Sequence, residues 1–174
     1  MFKKLKNNAG FTIIELLAST FIVALISGIF LANYRAGDRQ ASLAGAAQKM
    51  ASDIRLVQNY ALGLREFQGV FPAGGWGVHF EAGNSGYIIF ADNDIAEYDY
   101  DAGEEYAAVS LPDNVTIDSI DVGAFLDIVF LPPDPVTYMN SASNISAQII
   151  LKDNQTGSTK TIQVNFLGLV DVVN

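Results

Sequence analysis

The sequence contains no cysteine and a single histidine, His79, among its 174 residues. The absence of cysteine excludes a disulfide framework, thiolate metal sites and cysteine nucleophiles. With one histidine, a zinc site would need carboxylates for its remaining ligands. His79 stands between two apolar residues in a strand-like pattern, which favours a strand side chain over a catalytic base. The sequence also contains no P-loop, G-x-G-x-x-G or G-x-S-x-G motif, so nothing in it indicates an enzyme.

Basic residues are scarce as well. Lys and Arg number 10 against 19 Asp and Glu, which gives a net charge of −9. Three of the lysines, Lys3, Lys4 and Lys6, lie at the N-terminus, and without them seven basic residues face 19 acidic ones, a net charge of −12. An acidic surface disfavours electrostatic binding to nucleic acid or to anionic lipid headgroups. Nucleic acid is therefore not an expected partner.

The longest apolar run extends from Phe11 to Ala32 and contains one charged residue, Glu15. At about 1.5 Å per residue, a helix of this length measures about 33 Å, enough to cross a hydrocarbon core of about 30 Å. A carboxylate costs about 2.5–3.5 kcal/mol at the centre of a membrane, so Glu15 needs a functional reason. An ordinary secretory signal would place small residues after the apolar run. A plain membrane anchor fits the hydropathy but leaves Gly10 and Glu15 unexplained.

The stretch Gly10-Phe11-Thr12-Ile13-Ile14-Glu15-Leu16-Leu17, preceded by the lysines, resembles the processing site of type IV prepilins and type II secretion pseudopilins. The resemblance implies that a prepilin peptidase cuts after Gly10 and that the new amine on Phe11 is methylated. It also implies that Glu15 meets the Phe11 amine of a neighbouring subunit during assembly. Many major pilins carry a C-terminal disulfide, from which this cysteine-free sequence departs.

The apolar pattern after Ala32 predicts that the helix continues to about Leu64. Apolar residues recur there at alternating spacings of four and three, the pattern of a helix with one apolar face. Packing of this face on a core is favoured over a coiled-coil seam, because a β-rich segment follows. The residues of the stripe are Leu43, Ala47, Met50, Ile54, Val57, Ala61 and Leu64.

From Trp76 onward the pattern becomes strand-like, with turn signals between short apolar segments. Close spacing of the strands favours antiparallel connections, since parallel ones require long crossovers. We therefore predict an α+β fold, in which a long N-terminal helix packs on an antiparallel β-sheet domain. The predicted strands are Trp76–Phe80, Tyr87–Ala91, Tyr106–Leu111, Val115–Ile120, Ala124–Leu131, Ala147–Lys152, Lys160–Phe166 and Leu169–Val173, with a hairpin across Asp153–Thr159.

Four segments are expected along the chain. They are a cleaved basic leader (1–10), the transmembrane and assembly half of the helix (11–34), its amphipathic half (35–64) and a globular antiparallel β domain (65–174). Within the β domain, several short stretches resemble GspH/FimT-like minor pseudopilins. These are Gly75-Trp76-Gly77-Val78-His79-Phe80, Tyr87-Ile88-Ile89-Phe90-Ala91-Asp92, Tyr100-Asp101-Ala102-Gly103-Glu104 and Val164-Asn165-Phe166-Leu167-Gly168.

Seven carboxylates crowd the fourteen residues from Asp92 to Glu105. Calcium takes six to eight oxygen ligands, often from clustered Asp and Glu. The stretch begins like an EF-hand loop, but Glu97 replaces the glycine at its sixth position and Gly103 the glutamate at its twelfth. A solvated acidic loop is the alternative to a calcium site. The candidate calcium ligands are Asp92, Asp94, Asp99, Asp101 and Glu104.

These observations predict a structural subunit, a minor pilin or pseudopilin of a type IV pilus-like or type II secretion filament. The expected partners are prepilin peptidase, other pilin or pseudopilin subunits, the inner-membrane assembly platform and the lipid bilayer. The precursor would span the inner membrane once with a cytoplasmic N-terminus, and the processed chain would enter an extracytoplasmic filament. No cofactor is expected beyond calcium at the acidic stretch. The alternatives are a membrane-anchored extracytoplasmic binding module and a DNA-contacting competence pilin, the latter disfavoured by the charge.

Overall fold

The computed structural model describes residues 10–95, 97–132 and 136–173, with the side chains of 32–36 left out. The chain separates into two compact units, Met1–Asp38 and Arg39–Asn174. One α-helix, α1 (Ile13–Leu62, 50 residues), contributes to both units. The predicted helix is thus present, and its ends lie within two residues of the expected ones.

In the first unit, α1 is apolar on every side. The segment Ile13–Leu31 has a mean hydropathy of 2.3, and none of it is buried within the protein. Its large side chains, such as Phe21 and Phe30, are about 70% exposed. A helix that is apolar all round is stable only where an apolar environment surrounds it. By length and composition, this segment can cross a membrane.

The second unit is built from the rest of α1 and ten strands in the described residues, all paired antiparallel. Most neighbouring strands in sequence are joined by connections of two to five residues, as the close spacing of the turn signals predicts. The exception is the longer loop between β2, which ends at Asp92, and β3, which begins at Glu105. The strands are β1 (Gly75–Glu81), β2 (Gly86–Asp92), β3 (Glu105–Ser110), β4 (Val115–Ile120), β5 (Phe125–Leu131), β6 (Val136–Met139), β7 (Ala142–Ser143), β8 (Ala147–Asp153), β9 (Thr159–Val164) and β10 (Val170–Val173).

The strands form two sheets. The first has the order β3-β2-β1-β5-β6-β7 and the second the order β10-β9-β8-β4. In the first sheet, Val78 of β1 lies opposite Ile89 of β2 and Ile128 of β5, and all three are buried. Because side chains alternate between the two faces of a sheet, this register directs an apolar side chain from each of the three strands into the core at every second position.

The core joins α1 to both sheets in one cluster. The predicted apolar stripe of the helix is buried from Leu43 to Ala61, so its use in core packing is confirmed. Leu64 is the exception: it lies beyond the end of α1 with a positive φ and is half exposed. The helix ends before this residue, and its side chain therefore leaves the stripe. From the sheets, the largest buried side chains are Trp76, Phe80, Phe90, Phe130, Ile117, Leu126, Ile128, Met139 and Ile149.

Polar contacts fasten the helix to the strands. The Tyr87 hydroxyl of β2 donates to Asp53 at 2.6 Å, and Lys49 pairs with the same carboxylate at 2.7 Å. The Arg55 guanidinium donates to the carbonyl oxygen of Val170 on β10 at 2.6 Å. Burial and the Asp53 carboxylate raise the pKa of Tyr87, so this hydroxyl stays a donor at physiological pH.

Aromatic rings close the core beyond the C-terminal end of α1. The indole of Trp76 meets the rings of Tyr60 and Tyr106 edge to face, with centroids 5.1 and 5.2 Å away, and donates to the carbonyl of Arg65. The Arg65 guanidinium lies 4.1 Å from the centroid of Tyr60. These contacts hold the helix end on the first sheet without a disulfide.

The α+β fold and the predicted strands are confirmed, including the hairpin formed by β8 and β9. Two elements were missed, β6 and β7. β6 is only four residues long and follows directly on a proline-rich segment, so it has little periodicity of its own. The sequence pattern predicts Phe166 at the end of a strand, which is wrong: β9 ends at Val164 and Phe166 lies in the following turn.

Candidate functional site

The start of α1 is closed by a reciprocal pair of side chains. The amide of Glu15 donates to Thr12 Oγ1 at 3.3 Å, while the Thr12 amide and hydroxyl donate to Glu15 Oε2 at 3.5 and 3.4 Å. This is a capping box, in which Thr12 is the N-cap and Glu15 the third helical residue. The two side chains thus satisfy two backbone donors that the start of a helix leaves free: the carboxylate accepts the amide of Thr12, and the Thr12 hydroxyl accepts that of Glu15.

The other hydroxyls near this start also bond within the helix. Ser19 Oγ donates to the carbonyl of Glu15 at 2.7 Å, and Thr20 Oγ1 donates to that of Leu16 at 3.0 Å. Bonds to a carbonyl one turn earlier remove the need for water. The polar side chains of this first part of α1 are therefore compatible with an apolar environment.

Gly10 precedes the helix and is exposed, as is Phe11. A Cβ added at Gly10 would meet no atom within 4 Å. The part of the chain that the structure describes therefore places no steric demand on a glycine at this position. The lysines Lys3, Lys4 and Lys6 lie outside the described residues.

The acidic stretch is partly buried and folds over the first sheet. Asp92 and Glu104, near its two ends, are 1% and 7% exposed. Glu104 accepts the amide of Asn93 at 2.7 Å and that of Asp101 at 3.1 Å, so it ties the two ends of the loop together. The alternative of a solvated acidic loop is therefore contradicted at Asp92 and Glu104, whereas the other carboxylates of the stretch are exposed or half-buried.

Asp92 is the least satisfied of these carboxylates. Its Oδ1 accepts the amide of Asp94 at 3.0 Å, but its Oδ2 is buried and has no hydrogen-bond partner. The carboxyl group lies against the backbone of Gly74, where an added Cβ would be 2.2 Å from its Cγ. Burial and the nearby carboxylates Glu104, Asp94 and Asp99 raise the pKa of Asp92 to about 7.

Two tyrosines hold the middle of the loop on the sheet. The ring of Tyr98 stacks on Tyr138 of β6 with centroids 4.0 Å apart, and Tyr100 lies 4.9 Å from the ring of His79. This arrangement places Asp99 close enough to Asp127 of β5 for the two carboxylates to repel each other electrostatically. Burial and the carboxylates around it raise the pKa of Asp99.

Below the loop, His79 of β1 bonds to Asp127 of the neighbouring strand. Nδ1 of the imidazole lies 2.6 Å from Asp127 Oδ1, and the Asp127 side chain is 3% exposed. The two residues are directly opposite in the β1–β5 register, which explains the contact. His79 is thus a strand side chain, as predicted. Its buried acidic partner, Asp127, lies 48 residues away in the sequence and could not be identified from local pattern.

The predicted calcium ligands are only partly brought together. Asp94, Asp99 and Glu104 lie near enough to Asp92 to raise its pKa, and Asp101 in turn contributes to the raised pKa of Asp99. Asp94 and Asp101 are exposed, and the backbone amide of Asp101 donates to Glu104. Among the described residues, no group of three or more His, Asp or Glu side chains is arranged to hold a metal ion. Among the five predicted calcium ligands, Asp92 contributes the buried oxygen without a hydrogen-bond partner, Oδ2. The calcium site remains a prediction.

Three features of these sites were not predicted. Thr12 was overlooked although T-x-x-E before an apolar run is a recognisable capping-box pattern. The contacts of Tyr98 and Tyr100 carry no local signal, because their partners are far away in the sequence. The burial of Asp92 follows from the close approach of Gly74, which only the folded chain reveals.

Residues 5–31 match the family described as the prokaryotic N-terminal methylation motif. No curated protein and no solved structure matches the chain. The matched segment contains Gly10, the capping box and the apolar part of α1 up to Leu31. The chain thus carries a type IV prepilin-like signal, and this motif implies processing by prepilin peptidase and assembly with other pilins in general.

Replacing Asp92 by asparagine is expected to remove a pH dependence of stability. The folded chain raises the pKa of Asp92 from 3.8 to about 7, so its contribution is complete below pH 3.8 and lost as the pH rises through 7. Asp92→Asn keeps the shape without the charge. At pH 8 it should stabilise the fold by roughly 1–3 kcal/mol relative to wild type, and at pH 5 by less.

Fluorescence of Trp76, the one tryptophan in the sequence, reports unfolding of the second unit. The exposed carboxylate Glu66 supplies a control, since Glu66→Gln should leave the pH profile unchanged. Parallel profiles for wild type and Asp92→Asn would contradict the assignment.

The calcium hypothesis predicts a shift in melting temperature. A ligand that binds only the native state stabilises it, so millimolar calcium should raise the melting temperature of the full chain in neutral detergent relative to excess chelator. Asp92→Asn should abolish the shift, and magnesium at the same concentration serves as the ionic control. Equal melting temperatures in calcium and chelator would rule out the site.

Proposed function

We propose that the chain is a structural subunit, a minor pilin or pseudopilin, of a type IV pilus-like or type II secretion filament. The observation that carries the proposal is the methylation motif at residues 5–31, which coincides with a fully exposed apolar helix start. The pilin-like family to which this motif refers is a family of structural subunits. The GspH/FimT-like subtype rests on the short sequence stretches of the β domain alone.

In this proposal the precursor lies in the cytoplasmic membrane through Ile13–Leu31. The lysines before Gly10 would stay on the cytoplasmic side under the positive-inside rule, and the β domain would be extracytoplasmic. Prepilin peptidase would cut after Gly10, and the new amine of Phe11 would be methylated. The inner-membrane assembly platform and other pilin subunits would then take up the processed chain.

Glu15 would contribute twice in this proposal. Within its own chain it caps the first turn, as the contacts with Thr12 show. In a filament, its carboxylate would pair with the Phe11 amine of a neighbour, which lowers the cost of both charges in a poorly solvated environment. A pairing at one axial offset also sets the register between subunits.

Gly10→Val is expected to leave an uncut precursor in the membrane. A glycine lets an enzyme approach the backbone closely, and a branched side chain there would block this approach. Because no atom lies within 4 Å of an added Cβ, the substitution should not disturb the fold. N-terminal sequencing of the wild-type membrane fraction should begin at Phe11.

A wild-type chain that begins elsewhere, for example after Ala18, would exclude this processing site. The matched control is Gly28→Val, on an exposed part of α1 where an added Cβ is equally free of contacts. It should be cut normally.

Glu15→Ala is expected to be cut and folded normally but to enter filaments poorly. Loss of one partner from a buried charge pair costs about 3–5 kcal/mol, which predicts at least about a ten-fold lower filament fraction. Glu15→Gln retains the hydrogen-bonding atoms of the capping box but lacks the charge. It should be as defective as Glu15→Ala if the charge pair matters.

Thr12→Ala is the matched control, because it breaks the capping box and keeps the carboxylate. It should enter filaments nearly as well as wild type. The measurement compares sheared filaments with membranes at equal expression. Normal filament entry of Glu15→Gln together with failure of Thr12→Ala would assign the role of Glu15 to helix capping alone. Normal entry of both Glu15 variants would contradict the charge pair and favour a position at the filament tip, where no subunit lies ahead to be contacted. Absence of the wild-type chain from filaments would favour the membrane-anchored module.

A further inference from the structure

The edges of the two sheets differ in how well they are protected. Unpaired backbone groups on an edge strand can pair with another chain, and proteins usually cover or shorten such edges. The edge of β4 is covered, since Ile117 exchanges backbone bonds with the turn at Gly83 and Asn84. On β10, the carbonyl of Val170 accepts Arg55. β7 is only two residues long.

The remaining edge, β3, is six residues long and has no such cover in the described residues. The amide of Leu111 donates to the carbonyl of Ser85. In an antiparallel pair, hydrogen-bonded and non-hydrogen-bonded residue pairs alternate, so this bond shows which residues of β3 bond to β2. By this alternation Val109 bonds to β2, whereas Ala108 and Ser110 direct their backbone N–H and C=O groups away from the sheet. The strand contains no proline or lysine that would discourage pairing.

An open groove lies on each face of this strand. The outer groove, of about 450 Å³, is lined by His79, Glu81, Ile88, Tyr100 and Ala108. The helix-side groove, of about 440 Å³, is lined by Ser42, Gly45, Ala46, Lys49, Leu111 and Pro112. Both reach Ser110, so the two grooves flank the same free edge.

The grooves differ in chemistry. The outer groove carries the carboxylate of Glu81, and the Tyr100 hydroxyl on its wall bonds the exposed carboxylate of Glu105. The imidazole of His79, which also lines this groove, is hydrogen-bonded to Asp127. In the helix-side groove the one charged group, Lys49, is paired with Asp53. The outer groove therefore favours a basic side chain, and the helix-side groove favours an apolar one.

We propose that β3 is a docking edge for an extended segment of a partner protein with alternating basic and apolar side chains. The segment would add a strand to the first sheet, with backbone bonds to Ala108 and Ser110. Because side chains of a strand alternate between its two faces, basic residues would lie on the outer groove and apolar residues in the helix-side groove. A second copy of this chain is disfavoured, since it would bring Glu105 and a net charge of −12 against the same edge.

The test uses the full processed chain in neutral detergent and a labelled nine-residue peptide of alternating lysine and valine. Binding is followed by fluorescence anisotropy against a micelle blank. Two peptides serve as controls: one with the same residues arranged in two blocks, and one with glutamate in place of lysine. Each should bind at least about ten-fold more weakly. Equal affinity of the block peptide would overturn the proposal.

Three variants locate the site. Ala108→Pro removes an outward-facing N–H, which an edge strand tolerates, and should weaken binding at least about ten-fold. Gly45→Leu, where an added Cβ meets no atom within 4 Å, should fill the helix-side groove and also weaken binding. Gly37→Leu, equally free of contacts on the same helix, is the control and should bind like wild type.

Trp76 fluorescence checks that each variant is folded. If Ala108→Pro fails this check, Ala108→Lys replaces it, because a lysine at this exposed position repels the basic peptide and keeps the ladder to β2. Unchanged affinity of the folded Ala108 variant would overturn the proposal. If the wild-type chain forms a dimer without peptide and the same Ala108 variant does not, the proposal is overturned in favour of pairing between two copies of the chain.

Discussion

The second unit depends on one face of α1. Leu43, Met50, Ile54 and Val57 are fully buried there, and both sheets contribute to the same core. Each such side chain gains about 1.5–3 kcal/mol on burial, and with no cysteine the chain has no covalent link to add to this. Asp53 and Arg55 lie beside the apolar face. Their hydrogen bonds to Tyr87 and to the carbonyl of Val170 hold the helix on the strands that pack against this face.

Two carboxylates show how the same group behaves in different surroundings. Glu15 accepts backbone and side-chain donors from Thr12 at the start of a helix, where the helix dipole also favours a negative charge. Asp92 accepts only one backbone donor. Burial and the negative charge of neighbouring carboxylates therefore raise its pKa. The acidic loop is therefore held to the sheet by Tyr98 and Tyr100, against the repulsion of its own charges.

The sequence predicted the elements whose pattern is local. The helix stripe and the strands with clear alternation were found because burial repeats every 3.6 or every two residues. β6 has too few residues to show a period. Leu64 continues the spacing of the apolar stripe, although α1 has already ended at Leu62. The pairing of His79 with Asp127 depends on the register of β1 against β5, and the stacking of Tyr98 on Tyr138 depends on the path of a loop. Neither is encoded in neighbouring residues, whereas the T-x-x-E cap at Thr12 was readable and was missed.

The helix begins only at Ile13, so two residues separate it from Gly10. The Gly10–Phe11 peptide bond thus lies in an exposed, non-helical segment, and its hydrolysis would break no helical hydrogen bond. It would, however, create an ammonium group next to a helix end that already carries partial positive charge. The one carboxylate of this end, Glu15, is held by the capping contacts with Thr12. A newly cut chain would therefore have a surplus of positive charge at its first turn, which a carboxylate from outside the chain could neutralise. In the proposed processing, cleavage of this bond would therefore itself create the charge that an external anion could neutralise.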